Sequence, residues 1–446
     1  ASTKSGNISL FGNSLADAGK AEPQISLRGL EGAKKGEKVR LDVVKHNRFS
    51  VRTSNWAEIP VGLYEIILVR NNNGEAVIAG QIRVSEQKSE FPKEVFNVVK
   101  FGAIPNDGVD DTTAILAAVA KLKSNGGGEL FFPCGRFQMT ETIELPPHSS
   151  LRGFGPEYSQ VYWPDSFEPL DALVKGTHSF EVSNIFLTCG NHKDGIVGNW
   201  PEPRKPLTPG EKAEYKCGNI SITNVTLRML YSQYINNDLD ELKRRLQSLH
   251  QTRALRLGGE NINVVGNDIY CAAGGVFEFR AYWSNVSHNR FCRGNIVGWN
   301  GYSGQQLVFS DNHLGGANCT SFYGLPEGSE NIYWGNNYHE NNFDGNNRET
   351  ITGDGRIHTY IDVVENITPT SFTLKGEVKN RGIERWEKGA VQIAGGKGVG
   401  QIRRIKSIEG AKVELESEWD IVPNETSIIN ISSFRRRFIY TENRAY

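Results

Sequence analysis

The chain has 446 residues, long enough for two or three domains and a large apolar core. Its 50 basic and 51 acidic side chains leave a net charge of -1, which argues against nucleic acid or an anionic membrane as the principal partner. The 48 glycines beside 2 methionines favour a turn-rich β protein over a helical bundle.

Residues 1–90 read as short strands with turn punctuation. They close on VGLYEIILVRNNNGEAVIAGQIRVS, where two apolar runs flank NNNGE as in a hairpin. NISLFGNSL with IPVGLYEIILVRNNNG resembles the opening and closing strands of IPT/TIG immunoglobulin-like modules, which implies a β-sandwich accessory domain. The start ASTKSGNISL has no apolar signal core, and no run of about 18 apolar residues follows anywhere, so the chain reads as mature or truncated with no membrane span.

From Phe91 the texture changes. In NDGVDDTTAILAAVAKLKSNGGGELFFPCGRF, Asp110 or Asp111 can cap a helix. Its apolar stripe is Ile115, Ala118, Val119 and Leu122, and Gly126 to Gly128 stop it. This block, with IELPPHSSLRGFG after it, resembles the N-terminal signature of the pectate-lyase-like superfamily over about 65 residues, Phe91 to Gly155. The resemblance implies an all-β, single-stranded right-handed parallel β-helix, plugged by an N-terminal capping helix and acting on polysaccharide. It also implies that Asp107, Asp110 and Asp111 are structural.

A repeat is legible without that resemblance. INVVGNDI, SNVSHNRF, LVFSDNHL and IYWGNNYH align with Asn267, Asn289, Asn312 and Asn337 in register, 22, 23 and 25 residues apart, which marks a solenoid with an asparagine ladder. Asn224 lies 43 residues before Asn267 and is counted into the same repeat. Beside the ladder runs a column of Asp268, Arg290, His313 and Tyr338, flanked by His288 and Asp311. Its ion pairs, Asp268 with Arg290 and His288 with Asp311, are worth under about 1 kcal/mol each and read as structural. The register assigns the first strands to 254–257, 276–279, 296–299, 320–323 and a segment near 349–351.

Two excursions interrupt the solenoid of residues 91–355. One holds the proline- and lysine-rich loop 190–218 and an amphipathic helix in NNDLDELKRRLQSLH. The other, 356–433, alternates like a small antiparallel β-barrel, and its GGKGVG lacks the strand-to-helix context of a phosphate loop. Residues 434–446 resume a coil with Asn443 at the ladder position, an open end that a further C-terminal region or a second copy would cover. The six cysteines, at positions 134, 189, 217, 271, 292 and 319, contain no CxxC pair and read as buried free thiols, with one or two disulfides as the alternative.

The chemistry concentrates on the first-strand face and in HENNFDGNNRETITGDG. Glu278 in VFEFR alternates with Phe277 and Phe279, so it faces outward. Glu349 lies three coils further, roughly 14 Å away at the coil spacing, too far to pair with Glu278 directly. Glycosidic hydrolysis needs two carboxyl groups, roughly 5 Å apart for retention or 6.5 to 9.5 Å for inversion. Glu349 and Asp354 flank one strand, Glu327 sits in the matching turn one coil earlier and Asp344 in the turn between; these four are the catalytic candidates. Each alone is more often a solvated turn acid; the clustering distinguishes the group. Glu278, Arg280, Tyr282, Trp299, Tyr302, Tyr323 and Arg348 are the substrate-binding candidates, while Trp283 joins them as a ring that could stack on sugar.

The expected activity is thus that of a secreted or periplasmic β-helix glycoside hydrolase acting on a polysaccharide. The first alternative is a polysaccharide lyase, using Arg280, Arg348, His313 or His339 with Tyr323 for β-elimination on a uronate. The second is a non-catalytic glycan-binding or adhesive β-helix. No cofactor or metal is required; calcium is the one ion for which Asp344, Asn346 and Glu349 offer oxygen donors, without EF-hand spacing.

Overall fold

The computed structural model describes residues 8–12, 14–16, 22–32, 34–54, 59–70, 74, 76–84, 94–166, 168–200, 218–230, 240, 243, 252–272, 274–293, 300–316, 320–322, 329–340, 351–352, 360–375, 389–432 and 435–445. The chain forms two compact units, Ala1–Glu90 and Phe91–Tyr446. In the first, Lys38–Leu41, Gln24–Gly32, Gly62–Val69 and Ala76–Val84 make a four-stranded antiparallel sheet, in which Val69 pairs with Ala76. Ser9–Phe11, Ser50–Thr53 and Val43–His46 make a second, three-stranded sheet. Alternate residues of both sheets, among them Ile25, Leu27, Tyr64 and Val51, share one core, so the unit is a β-sandwich.

The second unit opens with the short strand Val95–Asn97 and the 3-10 helix Val98–Phe101, followed by the helix Thr112–Ser124, which buries Ile115, Ala118, Val119 and Leu122. Asp111 is the N-cap residue without a side-chain capping bond, while Asp110 before it accepts from the Thr112 amide at 3.0 Å and from the Thr140 hydroxyl at 3.0 Å. Asp111 accepts instead from the amides of Ile104 and Gln138, tying the helix to the first coil. Both acids are fully used in structure. Gly127 has φ +122°, and a Cβ there would lie 2.2 Å from the His148 carbonyl, so the chain can leave the helix only through glycine.

Beyond the helix, parallel strands wind into a β-helix belonging to a single 23-stranded sheet. A typical coil comprises Arg253–Glu260, Ile262–Val265 and Asp268–Cys271. Single left-handed residues turn each corner: Asn261, Trp283, Gln306 and Asn331 after the first strand, Gly266, His288, Asp311 and Asn336 after the second. The ladder follows the second corner. Asn267, Asn289, Asn312, Asn337 and Asn443 pass side-chain hydrogen bonds from coil to coil at 2.8, 2.9, 3.1 and 2.9 Å. Each amide also donates to a carbonyl of the preceding coil, so the first four are buried without loss of partners. Asn224 does not belong to this column. Its neighbour Val225 donates to Asn267 Oδ1, whereas Asn224, at φ +51°, is a corner residue bonded to Asn184.

The first strands need a second correction. Glu278 pairs with Gly301 and Phe279 with Tyr302, so the register of the third of these strands runs three residues later than the ladder count places it; 296–299 lie outside the described residues. Asn300 in turn pairs with Thr320, and Thr320 with Ile351. The ladder fixes one corner, but the loops that return to the first strand differ in length, so counting from the ladder slips the register there. Inside, Phe277, Phe291, Phe309 and Trp334 stack along the axis, Phe309 on Trp334 at 3.7 Å.

The excursion after the fifth first strand folds as a closed six-stranded barrel, Tyr360–Glu365, Ser371–Leu374, Lys412–Leu415, Ile402–Glu409, Ala390–Gly395 and Ile428–Ser432 in spatial order. It has its own core around Phe372, Val391, Ile405 and Trp419. GGKGVG is the turn between two of its antiparallel strands, with no helix behind it. Of the helix expected in 236–250, only Asp240 and Lys243 are among the described residues, and both are helical. Among those residues Cys134, Cys189, Cys271 and Cys292 are free thiols, and no helix is long and apolar enough to cross a membrane.

Candidate functional site on the first-strand face

Along the first strands, outward positions stack into a column of Lys175, Val197, Arg256, Glu278, Gly301, Ser321 and Thr352. Phe277 and Phe279 on either side of Glu278 are buried in the core, so alternation places the carboxylate on the opposite face. Two residues along, Arg280 occupies the outward position opposite Gly258, and Tyr282 the one opposite Glu260. Three substrate-binding candidates, Glu278, Arg280 and Tyr282, therefore share one surface.

That surface is held by charges the strand pattern hides. Asp194 accepts from the Arg253 amide at 3.0 Å and from Arg256 Nη1 at 2.7 Å. Glu278 Oε2 lies 3.4 Å from Arg256 Nε and 3.7 Å from Arg253 Nε. All four side chains are at most 12 % exposed, and their formal charges cancel. Burial pushes the Asp194 carboxyl up to about 6, with Arg256 and the Arg253 amide pulling the other way. A buried, charge-balanced network of this kind fixes position.

Beside it stands Trp200. Asn199, at φ +46°, donates its backbone N–H to the Gly176 carbonyl and its side-chain amide to the Gly258 carbonyl, pinning the loop to the solenoid. The Arg280 guanidinium lies 4.6 Å from the Trp200 ring centroid and that of Arg256 5.7 Å. A guanidinium over an indole ring is a cation–ring contact that holds both groups beside the network, and the guanidinium edge can meet a carboxylate.

The register bears on the remaining candidates unevenly. Tyr302 pairs in register with Phe279 rather than with Glu278. Trp283 turns the corner and is 65 % exposed. His339, an alternative lyase base, is 1 % exposed in the column of Leu314 and cannot meet a polymer. Trp299, Tyr323, Glu327, Asp344, Arg348, Glu349 and Asp354 lie outside the described residues, as does the calcium reading of DGNNRE; the strand Ile351–Thr352 between Glu349 and Asp354 pairs with Thr320 and Ser321. Asp194, Arg253, Arg256 and Trp200 were not singled out in the sequence. Two arginines three apart in the apolar run RALRL were the available signal, since charge inside a buried strand implies a partner. No group of three metal-ligating side chains occurs among the described residues.

No family model matches the chain. It is 22 % identical over 213 residues to the SPbeta prophage-derived uncharacterized protein YomE of Bacillus subtilis, covering 46 % of this chain and 31 % of that protein. It is 26 % identical over 271 residues to the mannuronan C5-epimerase AlgE3 of Azotobacter vinelandii, covering 56 % of this chain and 14 % of the epimerase. The solved family 28 exopolygalacturonase of Yersinia enterocolitica aligns at a TM-score of 0.35 and 14 % identity, covering 76 % of this chain and 67 % of that one. The chain spans less than a third of the length of the curated relatives it matches.

Proposed function

We propose that the chain is a polysaccharide-cleaving β-helix enzyme that holds a uronate-containing polymer along the first-strand face and hydrolyses it. The observation that carries the substrate class is the Arg280–Trp200 platform beside the buried Asp194–Arg253–Arg256–Glu278 network. In this reading Trp200 stacks on a sugar, Arg280 meets its carboxylate, and the network keeps both in place. The carboxyl pair is drawn from Glu349 and Asp354, with Glu327 and Asp344 as the other candidates; one donates a proton to the leaving oxygen while the other attacks the anomeric carbon or activates water.

A second reading has a specific support. Two of the relatives are named mannuronan C5-epimerases, whose name implies proton removal at C5 of a uronate, the step shared by β-elimination. Digestion of polygalacturonate and polymannuronate separates the chemistries. Hydrolysis releases reducing ends with flat ultraviolet absorbance; elimination raises the absorbance of unsaturated uronates; epimerisation changes the C5 configuration by NMR without new ends. Either of the latter two results replaces hydrolysis.

A further inference from the structure

The third strands of the coils carry an outward face of their own, on a different side of the solenoid from Trp200. Its first column runs from Arg136 through the uncharged Gln160, Phe186 and Thr226 to Asp268, Arg290, His313, Tyr338 and Arg444. The adjoining column carries Tyr162, Arg228, Tyr270, Cys292 and Glu340. Eight coil steps separate Arg136 from Arg444, roughly 40 Å at the spacing of paired strands.

The side chains along this row are arranged for an extended anionic chain with apolar faces. Four arginines and His313 stand against two carboxylates, and each carboxylate is already engaged. Asp268 bridges Arg228 at 2.6 Å and Arg290 at 3.3 Å, and Glu340 meets His313 Nε2 at 3.0 Å. Arg136 and Arg444, near the two ends, meet no carboxylate among the described residues. Rings lie between the cations. Tyr162 sits 4.2 Å from the Arg136 guanidinium, Tyr270 is half-buried, and Tyr338 packs edge-on against His313 at 4.8 Å. Gly315 is packed against its coil neighbours, since a Cβ there would come within 2.8 Å of Cys292 Sγ and 3.5 Å of Glu340 Oε2.

We propose that this third-strand face is a second glycan-binding surface, which takes an acidic polysaccharide of the uronate class lengthwise. A pyranose unit advances a chain by about one coil, so successive sugars can meet successive shelves. Guanidinium forks pair with the carboxylates and the tyrosines stack on the apolar sugar faces. The two carboxylates within the row oppose a polymer as densely charged as a nucleic acid, and the whole chain's charge of -1 gives such a polymer no steering. This surface does not depend on the catalytic reading of the first-strand face.

The test uses the full chain and measures its affinity for polygalacturonate by titration calorimetry at two salt concentrations. The Arg290→Gln/Tyr338→Ala double variant, with its fold checked by circular dichroism, should bind at least tenfold more weakly and with a shallower salt dependence. Arg136→Gln, on an exposed side chain at the far end, should weaken binding severalfold and serves if the double variant misfolds. Turnover of a short uronate oligomer on the first-strand face should stay at the parent level. Binding within twofold of the parent in all variants overturns the proposal. So does equal affinity for neutral dextran, displacement of the polyuronate by oligo-dT, or a parallel loss of oligomer turnover. If the parent shows no turnover on any polyuronate, the catalytic reading fails while the binding result still stands or falls by itself.

Discussion

Asp194 and His339 are buried groups whose titrations act on stability in opposite directions. Burial raises the Asp194 carboxyl to about 6, so its contribution to stability is complete below the ordinary carboxylate range and is lost as pH rises toward 6. Burial lowers His339 to about 4, so its contribution is complete above the ordinary histidine value and is lost as pH falls toward 4. Acidification from pH 6.5 to 4.5 should therefore lower the melting temperature most in Asp194→Asn, less in the parent and least in His339→Leu, a side chain that extends the apolar column of Phe291 and Leu314. The reverse order in differential scanning fluorimetry would contradict these assignments. On the face itself, Trp200→Ala and Arg280→Gln should each raise KM for a polyuronate about tenfold, the scale of one stacking or cation–ring contact, with kcat within threefold. A fall in kcat at unchanged KM would remove both residues from substrate binding. Glu278 was legible here because strict alternation with two phenylalanines fixes its side. Arg253 and Arg256 were not, because their partner Asp194 is some 60 positions away and only winding of the chain brings them together.

At the scale of elements, the ladder couples adjacent coils. Asn289 accepts from the Asn267 amide and side chain and donates to Val264 and Asn312, all in a buried corner. Asn289→Ala orphans several of these groups and should cost about 3 kcal/mol, read from urea unfolding. Asn224→Gly, at an exposed corner where glycine fits the left-handed backbone, should cost under about 1 kcal/mol. Similar losses in both would mean that Asn224 belongs to the ladder after all. The ladder showed in the sequence because its geometry demands one residue type at every coil. The first-strand register did not, because the number of residues between the third strand of one coil and the first strand of the next varies without disturbing that corner. Tyr302 came into register with Phe279 for this reason.

At the scale of the molecule, the barrel is joined to the solenoid by ends that lie side by side. Tyr360 pairs with Ile431, so the insertion leaves and re-enters at neighbouring strands while keeping a core of its own. Residues 358–434 expressed alone should fold with a cooperative melt and a near-ultraviolet signal from buried Trp419; a featureless spectrum would show that the solenoid is needed to fold it. Its alternating strands were readable, as were the capping helix and the coil repeat, because each is a local pattern. The central claim concerns a place on that scaffold, the first-strand face, and a crystal structure with a uronate oligosaccharide tests it most directly. The expected result is a sugar ring on Trp200, its carboxylate at Arg280 and the chain running along the Arg256–Glu278–Gly301–Ser321 column. An oligosaccharide bound only elsewhere, with Trp200 and Arg280 untouched, would contradict it.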